Sequence, residues 1–312
     1  MRVAVTGATG RLGRALVAAL ADAPFTGPAG PLTWGRSAFD LDRPDGVGAL
    51  LDRDRPEVVV HAAAWSDVDG CALDPELALR RNGVATGVVA AACAVRGIDL
   101  LAISTNEVFD GRRTDGDGYA PTDPPSPGNP YGVSKLDGEL RARAAFEASN
   151  GATLGIARTA WLFGTPGRDF PSRILLAADR AAASGEPLRV VGDERGTPTY
   201  TLDCAEAVVE LLAADAIGGI HHLVNGLVAS RADWARYTVA RAGLDVEIVD
   251  IPMTSWQRPS TPPRWGVLAP TPLPSGEPLR VWPDAMADYA PTLLRETRAA
   301  RAGAAIRSGA SR

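Results

Sequence analysis

Three residues at defined spacings carry the chemistry this chain can do. Tyr131 and Lys135 stand four positions apart, and Thr105 follows an apolar run upstream of them. Lys135 is the single lysine among 32 basic residues; the other 31 are arginines. A position that keeps lysine where arginine serves everywhere else points to a need for a compact point charge rather than a wide planar fork. On a helix, residues four apart share a face, so the ammonium lies beside the phenol. A free tyrosine titrates near pH 10, roughly. A neighbouring ammonium favours the phenolate and is expected to lower that value, making the phenol a proton donor or acceptor near neutrality. Tyr-x-x-x-Lys is a loose pattern by itself, and a helix start with one exposed lysine reads the same way.

The elements needed to position such residues follow from the N-terminus. Val3 and Val5 lead into Gly7-Ala8-Thr9-Gly10-Arg11-Leu12-Gly13, after which Leu12, Leu16, Val17 and Leu20 recur at helical spacing. Strand, glycine loop and helix in that order form a phosphate cradle. Backbone N–H groups and the helix N-terminus face a pyrophosphate, and glycines let the surfaces touch. Gly7, Gly10, Arg11, Leu12 and Gly13 are therefore candidate cofactor contacts. A second strand at Leu32–Trp34 ends in Gly35-Arg36. An NAD site usually places an acid there for the ribose hydroxyls, whereas Arg36 suits a 2′-phosphate and tilts the reading toward NADPH over NADH. Glu57–Ala64 reads as a buried parallel strand ending in small residues. Asp74-Pro75 is a helix start with its cap and first-turn proline. Asp99–Ser104 is the next buried strand. Ligands in such folds bind beyond the carboxyl ends of the strands, which places Ser104 and Thr105 at the chemistry. The Pro-, Gly- and Asp-rich loop 111–130 then leads to Asn129-Pro130, opening a helix over Tyr131 and Lys135 to about Ala148. This alternation predicts an α/β fold with a doubly wound parallel sheet, Rossmann-like, and a smaller C-terminal region.

After residue 150 the alternation loosens. Strands are expected at Gly155–Phe163, Leu188–Gly192, Gly219–Asn225 and Val246–Ile251. Helices are expected at Pro171–Ala183, Asp203–Ala214 and Ser230–Ala242. Residues 252–283 hold nine prolines and three tryptophans and suit a pocket wall. The expected organisation is a cofactor-binding part, 1–165, to which 196–225 return, a substrate-binding part from 166–195 and 226–297, and a flexible tail at 298–312.

Composition excludes other classes. Net charge is −5, so no basic field attracts nucleic acid or anionic membrane. No apolar run approaches the roughly 18 residues of a membrane span. The chain enters a strand at once, without room for a signal peptide, which predicts a cytoplasmic protein. Three scattered cysteines and three histidines offer no metal-ligand spacing, and none is expected to hold a metal.

Taken together, the glycine loop, the Ser104-Thr105 strand end and Tyr131-x-x-x-Lys135 resemble the extended short-chain dehydrogenase/reductase family. Within it, the chain resembles the dTDP-4-dehydrorhamnose reductase group, which acts on nucleotide-linked 4-keto sugars. Further segments carry the resemblance: Ala62–Asp69, Ser104–Gly111, Asn129–Glu139, Arg158–Gly164 and Gly196–Thr201. The resemblance implies that Thr105 and Tyr131 hydrogen-bond the substrate carbonyl and that Tyr131 delivers the proton. It implies that Lys135 holds the nicotinamide ribose and that Asn82 supports the lysine through a water. Asp40 and Leu41 match the adenine-contacting pair, Ala62, Ala63 and Ala64 line the cofactor, and Trp161 and Arg158 border the sugar pocket. The implied activity is NAD(P)H-dependent reduction of the 4-keto group of a nucleotide-activated 6-deoxysugar, in dTDP-L-rhamnose-type biosynthesis, by a monomer or homodimer.

One departure stands out. Where the group usually shows Ser-Thr-Asp-Tyr-Val-Phe, this chain has Asn106-Glu107, so Glu107 replaces an aromatic beside the catalytic threonine. Glu107 is read either as a substrate contact or as a plain loop carboxylate. Two other functions share the motifs. An NDP-sugar epimerase or dehydratase would retain its NAD, which Arg36 argues against. A cofactor-binding regulatory subunit would have lost turnover, which the intact Thr105, Tyr131 and Lys135 argue against.

Overall fold

The computed structural model describes residues 1–149, 151–166 and 168–309, with side chains as far as residue 299. The N-terminal part runs β1 (Val3–Thr6), α1 (Arg11–Asp22), β2 (Leu32–Trp34), α2 (Val47–Asp54), β3 (Val58–His61), α3 (Val68–Leu73), α4 (Pro75–Ala78), α5 (Ala85–Ala94), β4 (Asp99–Thr105), α6 (Pro130–Glu147) and β5 (Leu154–Thr159). Then come β6 (Leu162–Phe163), α7 (Phe170–Ser184), β7 (Leu188–Val191), β8 (Arg195–Gly196), β9 (Thr199–Tyr200), α8 (Thr201–Ala213), β10 (Gly219–His222), β11 (Ala229–Ser230), α9 (Arg231–Arg241), β12 (Ile248–Ile251) and α10 (Trp282–Gly309).

Six strands form one parallel sheet in the order β10-β5-β4-β3-β1-β2. The chain steps outward from β1 to β2, then returns to place β3 on the other side of β1. The strand order therefore reverses between β1 and β3, where such sheets open a crevice for ligands. Apolar cores cover both faces of the sheet. Leu12, Leu16, Leu20 and Val208 pack on one, Trp34, Leu51, Val89 and Phe146 on the other. The continuous apolar runs of the inner strands reflect this two-sided burial.

A smaller region joins α7, α9, the parallel pair β7–β12 and the start of α10 around Phe163, Trp234, Trp282 and Tyr289. Two expectations change here. The strand expected over Gly155–Phe163 is broken, because Trp161 adopts a left-handed φ of 44° and releases β6 to pair with β9. The tail expected to be loose from Arg298 continues α10 to Gly309, in keeping with the helix propensity of its alanines and arginines. Residues 310–312 lie outside the described residues.

Candidate active site

The glycine loop sits in the crevice between β1 and β3. Gly7 has φ 64°, and a Cβ there would fall 2.8 Å from the backbone of Ala63, so the turn after β1 rests directly on the turn after β3. At Gly13 a Cβ would lie 2.0 Å from the Gly7 carbonyl oxygen, so helix and loop are in backbone contact. Gly10 caps α1 without any side-chain hydrogen bond, and the first turn holds no acid. The leading N–H groups of a 12-residue helix are thus left for an anion. Gly7, Gly10, Arg36, Asp40, Leu41 and Ala62–Ala64 line one groove of about 240 Å³, together with Thr9, Phe39, Trp65 and Arg81. This is a cradle suited to a dinucleotide, with exposed Arg36 at its rim.

Two loop residues face elsewhere. Leu12 is buried in the core, so only its backbone can serve the cofactor. The Arg11 guanidinium reaches across to the carbonyls of Gly164 and Pro166 and lies 3.5 Å from Asp169. It ties the loop to the segment before α7 instead of pointing at a phosphate.

Arg81 was not singled out by sequence reasoning. It makes a two-pronged bond to Asp42 at 2.6 and 2.7 Å and lies over the Trp65 ring at 5.3 Å. Its partners come from separate segments, so no local pattern marked it. Its neighbour Asn82 lies in a π-helical stretch, Leu79–Val84, a distortion frequent at functional sites. Asn82 accepts from the Trp65 N–H at 2.8 Å and donates to the Trp65 carbonyl and to Ser134 Oγ, both at 3.0 Å. It clamps the groove wall to the turn of α6 between Tyr131 and Lys135.

Helix α6 begins as its sequence dictates. The Asn129 side chain accepts from the Gly132 N–H, and Pro130 occupies the first turn. The helix can approach its neighbour closely because Gly138 has no side chain; a Cβ there would sit 2.6 Å from the Asn82 carbonyl oxygen. Half-buried Tyr131 lies beside Thr105 at the end of β4. Lys135, one turn further on, is buried and donates to the Ile103 carbonyl at 2.8 Å. The three predicted catalytic residues are therefore together at the carboxyl edge of the sheet, next to the groove.

The electrostatics differ from expectation. The phenol of Tyr131 is pushed above its ordinary value, first by burial and next by the Glu107 carboxylate, with Thr105 opposing. Lys135 is itself pushed down to about 8 by burial, with the charge of Glu139 opposing. Burial disfavours the charged form of both groups.

Ser104 is not a free substrate contact. Its hydroxyl is buried and donates to Glu139 Oε1 at 2.6 Å. The same carboxylate receives Arg158 Nε at 3.0 Å and its terminal nitrogen at 2.8 Å, in a fully buried pair. Arg158 thus supports α6 from behind and does not border a sugar pocket. Trp161 is likewise occupied: Arg231 lies over its ring at 3.5 Å and Trp234 stacks parallel at 5.9 Å. It holds Arg231, which bonds Glu194 at 2.8 Å, more than it offers an open face.

Glu107 follows Thr105 at the end of β4 and packs on the cap of α6. Its carboxylate accepts from Asn129 Nδ2 at 2.5 Å, and burial raises its pKa. Beyond it are two connected depressions sharing Met253, Thr261 and Pro262. One, about 500 Å³, includes Glu194, Trp256, Arg258 and Ser260; the other, about 740 Å³, includes Arg112, Arg113, Arg195 and Arg264. The proline-dense segment does form a pocket wall. His61 is buried and pushed down to about 3; it bonds Thr6 at 2.8 Å, as a structural histidine would.

A hydroxyl pair beside a lysine, near a dinucleotide cradle, can carry proton transfer coupled to hydride transfer. The model of the RmlD substrate binding domain family matches residues 1–293. The chain belongs to that family. It is 35% identical over 297 residues to the dTDP-4-dehydrorhamnose reductase of Streptomyces griseus, covering 93% of each chain. It is 37% identical over 246 residues to the dTDP-4-keto-6-deoxy-D-glucose reductase of Streptomyces niveus, covering 77% of this chain and 78% of that one. Among solved structures it is similar to the dTDP-4-dehydrorhamnose reductase of Bacillus anthracis in complex with NADP. There the TM-score is 0.80 at 27% identity, over 92% of this chain and 98% of that one. Family membership accords with the glycine loop, the Thr105–Tyr131 contact and the parallel sheet.

Proposed function

We propose that this chain is an NADPH-dependent reductase of the 4-keto group of a dTDP-linked 6-deoxysugar, of the dTDP-4-dehydrorhamnose reductase type. The observation that carries the reading is the meeting of Thr105, at the end of β4, with Tyr131, with Lys135 one turn further along α6, near the glycine-loop groove. The names of the Streptomyces griseus and Streptomyces niveus relatives share the dTDP-linked deoxysugar and the reductase activity.

Bound NADPH supplies the hydride to the carbonyl carbon. Thr105 and Tyr131 donate hydrogen bonds to the carbonyl oxygen and orient it. As the oxygen becomes an alkoxide, Tyr131 gives up its phenolic proton to it. Lys135, charged below about pH 8, stabilises the resulting phenolate and holds the nicotinamide ribose. The phenol regains its proton from solvent. Arg36 meets the 2′-phosphate, and Asp40, Leu41 and Ala62–Ala64 hold the adenosine side. Glu107 and the edge of Trp161 border the sugar, and the arginine-lined depression suits the diphosphate.

In this reading residues 1–165 and 196–225 bind cofactor, and 166–195 and 226–297 bind substrate. The enzyme works in the cytoplasm as a monomer or homodimer. Among the described residues no helix is long and apolar enough to cross a membrane. The test is NADPH oxidation by purified protein across dTDP-, UDP- and GDP-linked 4-keto sugars. Turnover is expected with a dTDP-linked 4-keto-6-deoxysugar. Binding of NADPH with no turnover on the whole panel would refute the reading.

A further inference from the structure

Asn106 and Asn129 flank the reacting groups, and both are buried. Asn106 follows Thr105 at the end of β4, and Asn129 caps the helix that carries Tyr131. Each amide bonds to two sides. Asn106 Oδ1 accepts from Thr105 Oγ1 at 3.4 Å, and its Nδ2 donates to the Gly266 carbonyl at 3.0 Å. Asn129 Oδ1 accepts from the Gly132 N–H at 2.9 Å; its Nδ2 donates to Glu107 at 2.5 Å and to the Thr261 carbonyl at 3.2 Å. Thr261 and Gly266 bound the stretch Pro262-Pro263-Arg264-Trp265, and residues 261–265 line the depression of about 740 Å³. Prolines have no N–H, so this stretch presents carbonyls and needs donors from its neighbours. Asn106 supplies one where the group usually shows aspartate. An ionised carboxylate only accepts, so it could hold the Thr105 hydroxyl but not the Gly266 carbonyl. The fit is close: a Cβ on Gly266 would fall 2.5 Å from Asn106 Nδ2.

We propose that Asn106 and Asn129 are positioning residues: they pin both ends of the wall segment 261–266 to the elements that present Thr105 and Tyr131, so that the seating of this wall sets the placement of the catalytic pair. The inference rests on the reductase reading for its kinetic consequence, but not for its mechanical one. Only an amide can do the work of Asn106, because one atom must accept while the other donates.

The test compares the full-length protein with three variants. Asn106→Asp keeps an acceptor for Thr105 and loses the donor to Gly266. Asn129→Ser keeps a helix cap but is too short to reach Thr261. Gly266→Ala disturbs the same contact from the wall, where no catalytic residue is altered. Amide hydrogen exchange, read by mass spectrometry, reports the coupling whether or not any sugar turns over. Gly266→Ala is expected to speed exchange about fivefold or more over residues 105–109, where the Glu107 N–H donates to Thr105 Oγ1 and the Phe109 N–H to the Asn106 carbonyl. Asn106→Asp and Asn129→Ser should do the same to residues 264–269, whose Trp265 and Gly266 N–H groups bond the carbonyls of Gly111 and Arg195. All three should lower kcat for the 4-keto sugar about tenfold or more, with affinities for NADPH and dTDP held within about twofold. Asn106→Asp and Gly266→Ala combined should cost no more than either alone. Exchange that changes only on the substituted side, or a loosened wall with wild-type kcat, would overturn the inference. Absence of sugar turnover by the wild type, with exchange changes transmitted in both directions, would count against the reductase reading and leave this inference standing.

Discussion

Replacing Lys135 with methionine should remove activity and make the cofactor-free protein more stable at pH 7. Lys135 is buried, and its pKa falls from the ordinary 10.5 to about 8. For a base, a lowered folded value means that folding disfavours the charged form. The penalty is fully present below about pH 8 and fades as pH rises toward 10.5. At about 1.36 kcal/mol per pH unit it amounts to roughly 3 kcal/mol. Methionine has a similar linear stem but abandons the Ile103 carbonyl, which costs about 1 kcal/mol or more. A net gain of roughly 1–2 kcal/mol is expected at pH 7. Urea unfolding of both proteins at pH 7 and pH 10 measures it. The advantage of Lys135→Met should shrink by roughly 2–3 kcal/mol over that interval, because the wild type then loses its buried charge. A methionine variant less stable than wild type at pH 7, with a gap that ignores pH, would refute the electrostatic reasoning. The result would place Lys135 among residues kept for function at a cost in stability.

Two further outcomes follow from the same geometry. Arg158→Met leaves Glu139 buried with the Ser104 hydroxyl and half-buried Arg143 as its remaining partners; it should cost about 3–5 kcal/mol in chemical denaturation, and Glu139→Leu in the same chain should recover much of the loss. Arg36→Ala should weaken binding of 2′,5′-ADP at least about tenfold in calorimetry while leaving 5′-ADP nearly unchanged, because it removes a charge-assisted bond to the 2′-phosphate alone.

Local spacing announced much of the site. Gly7, Gly10 and Gly13 marked the loop, Asn129-Pro130 the start of α6, and Thr105, Tyr131 and Lys135 met where the alternation of strands and helices said they should. What stayed hidden was where side chains end. Ser104 and Thr105 are adjacent on β4 and therefore point to opposite faces, so only one of them can reach Tyr131; the other bonds Glu139. Arg11 bonds carbonyls more than 150 residues away, a contact that no local pattern encodes. Trp161 needed its positive φ to be seen before its ring could be placed under Arg231. The pKa of Tyr131 went the other way from the lysine argument because spacing reports charge neighbours but not burial.

The central claim is that Tyr131 delivers the proton in NADPH-dependent reduction of a 4-keto sugar. Its most direct test is the rate of NADPH oxidation with dTDP-4-dehydro-L-rhamnose for the wild type and for Tyr131→Phe, with NADPH affinity measured for both. The account predicts turnover by the wild type, a fall of about 10²-fold or more in the variant, and unchanged cofactor binding. Turnover by the phenylalanine variant at the wild-type rate would contradict it.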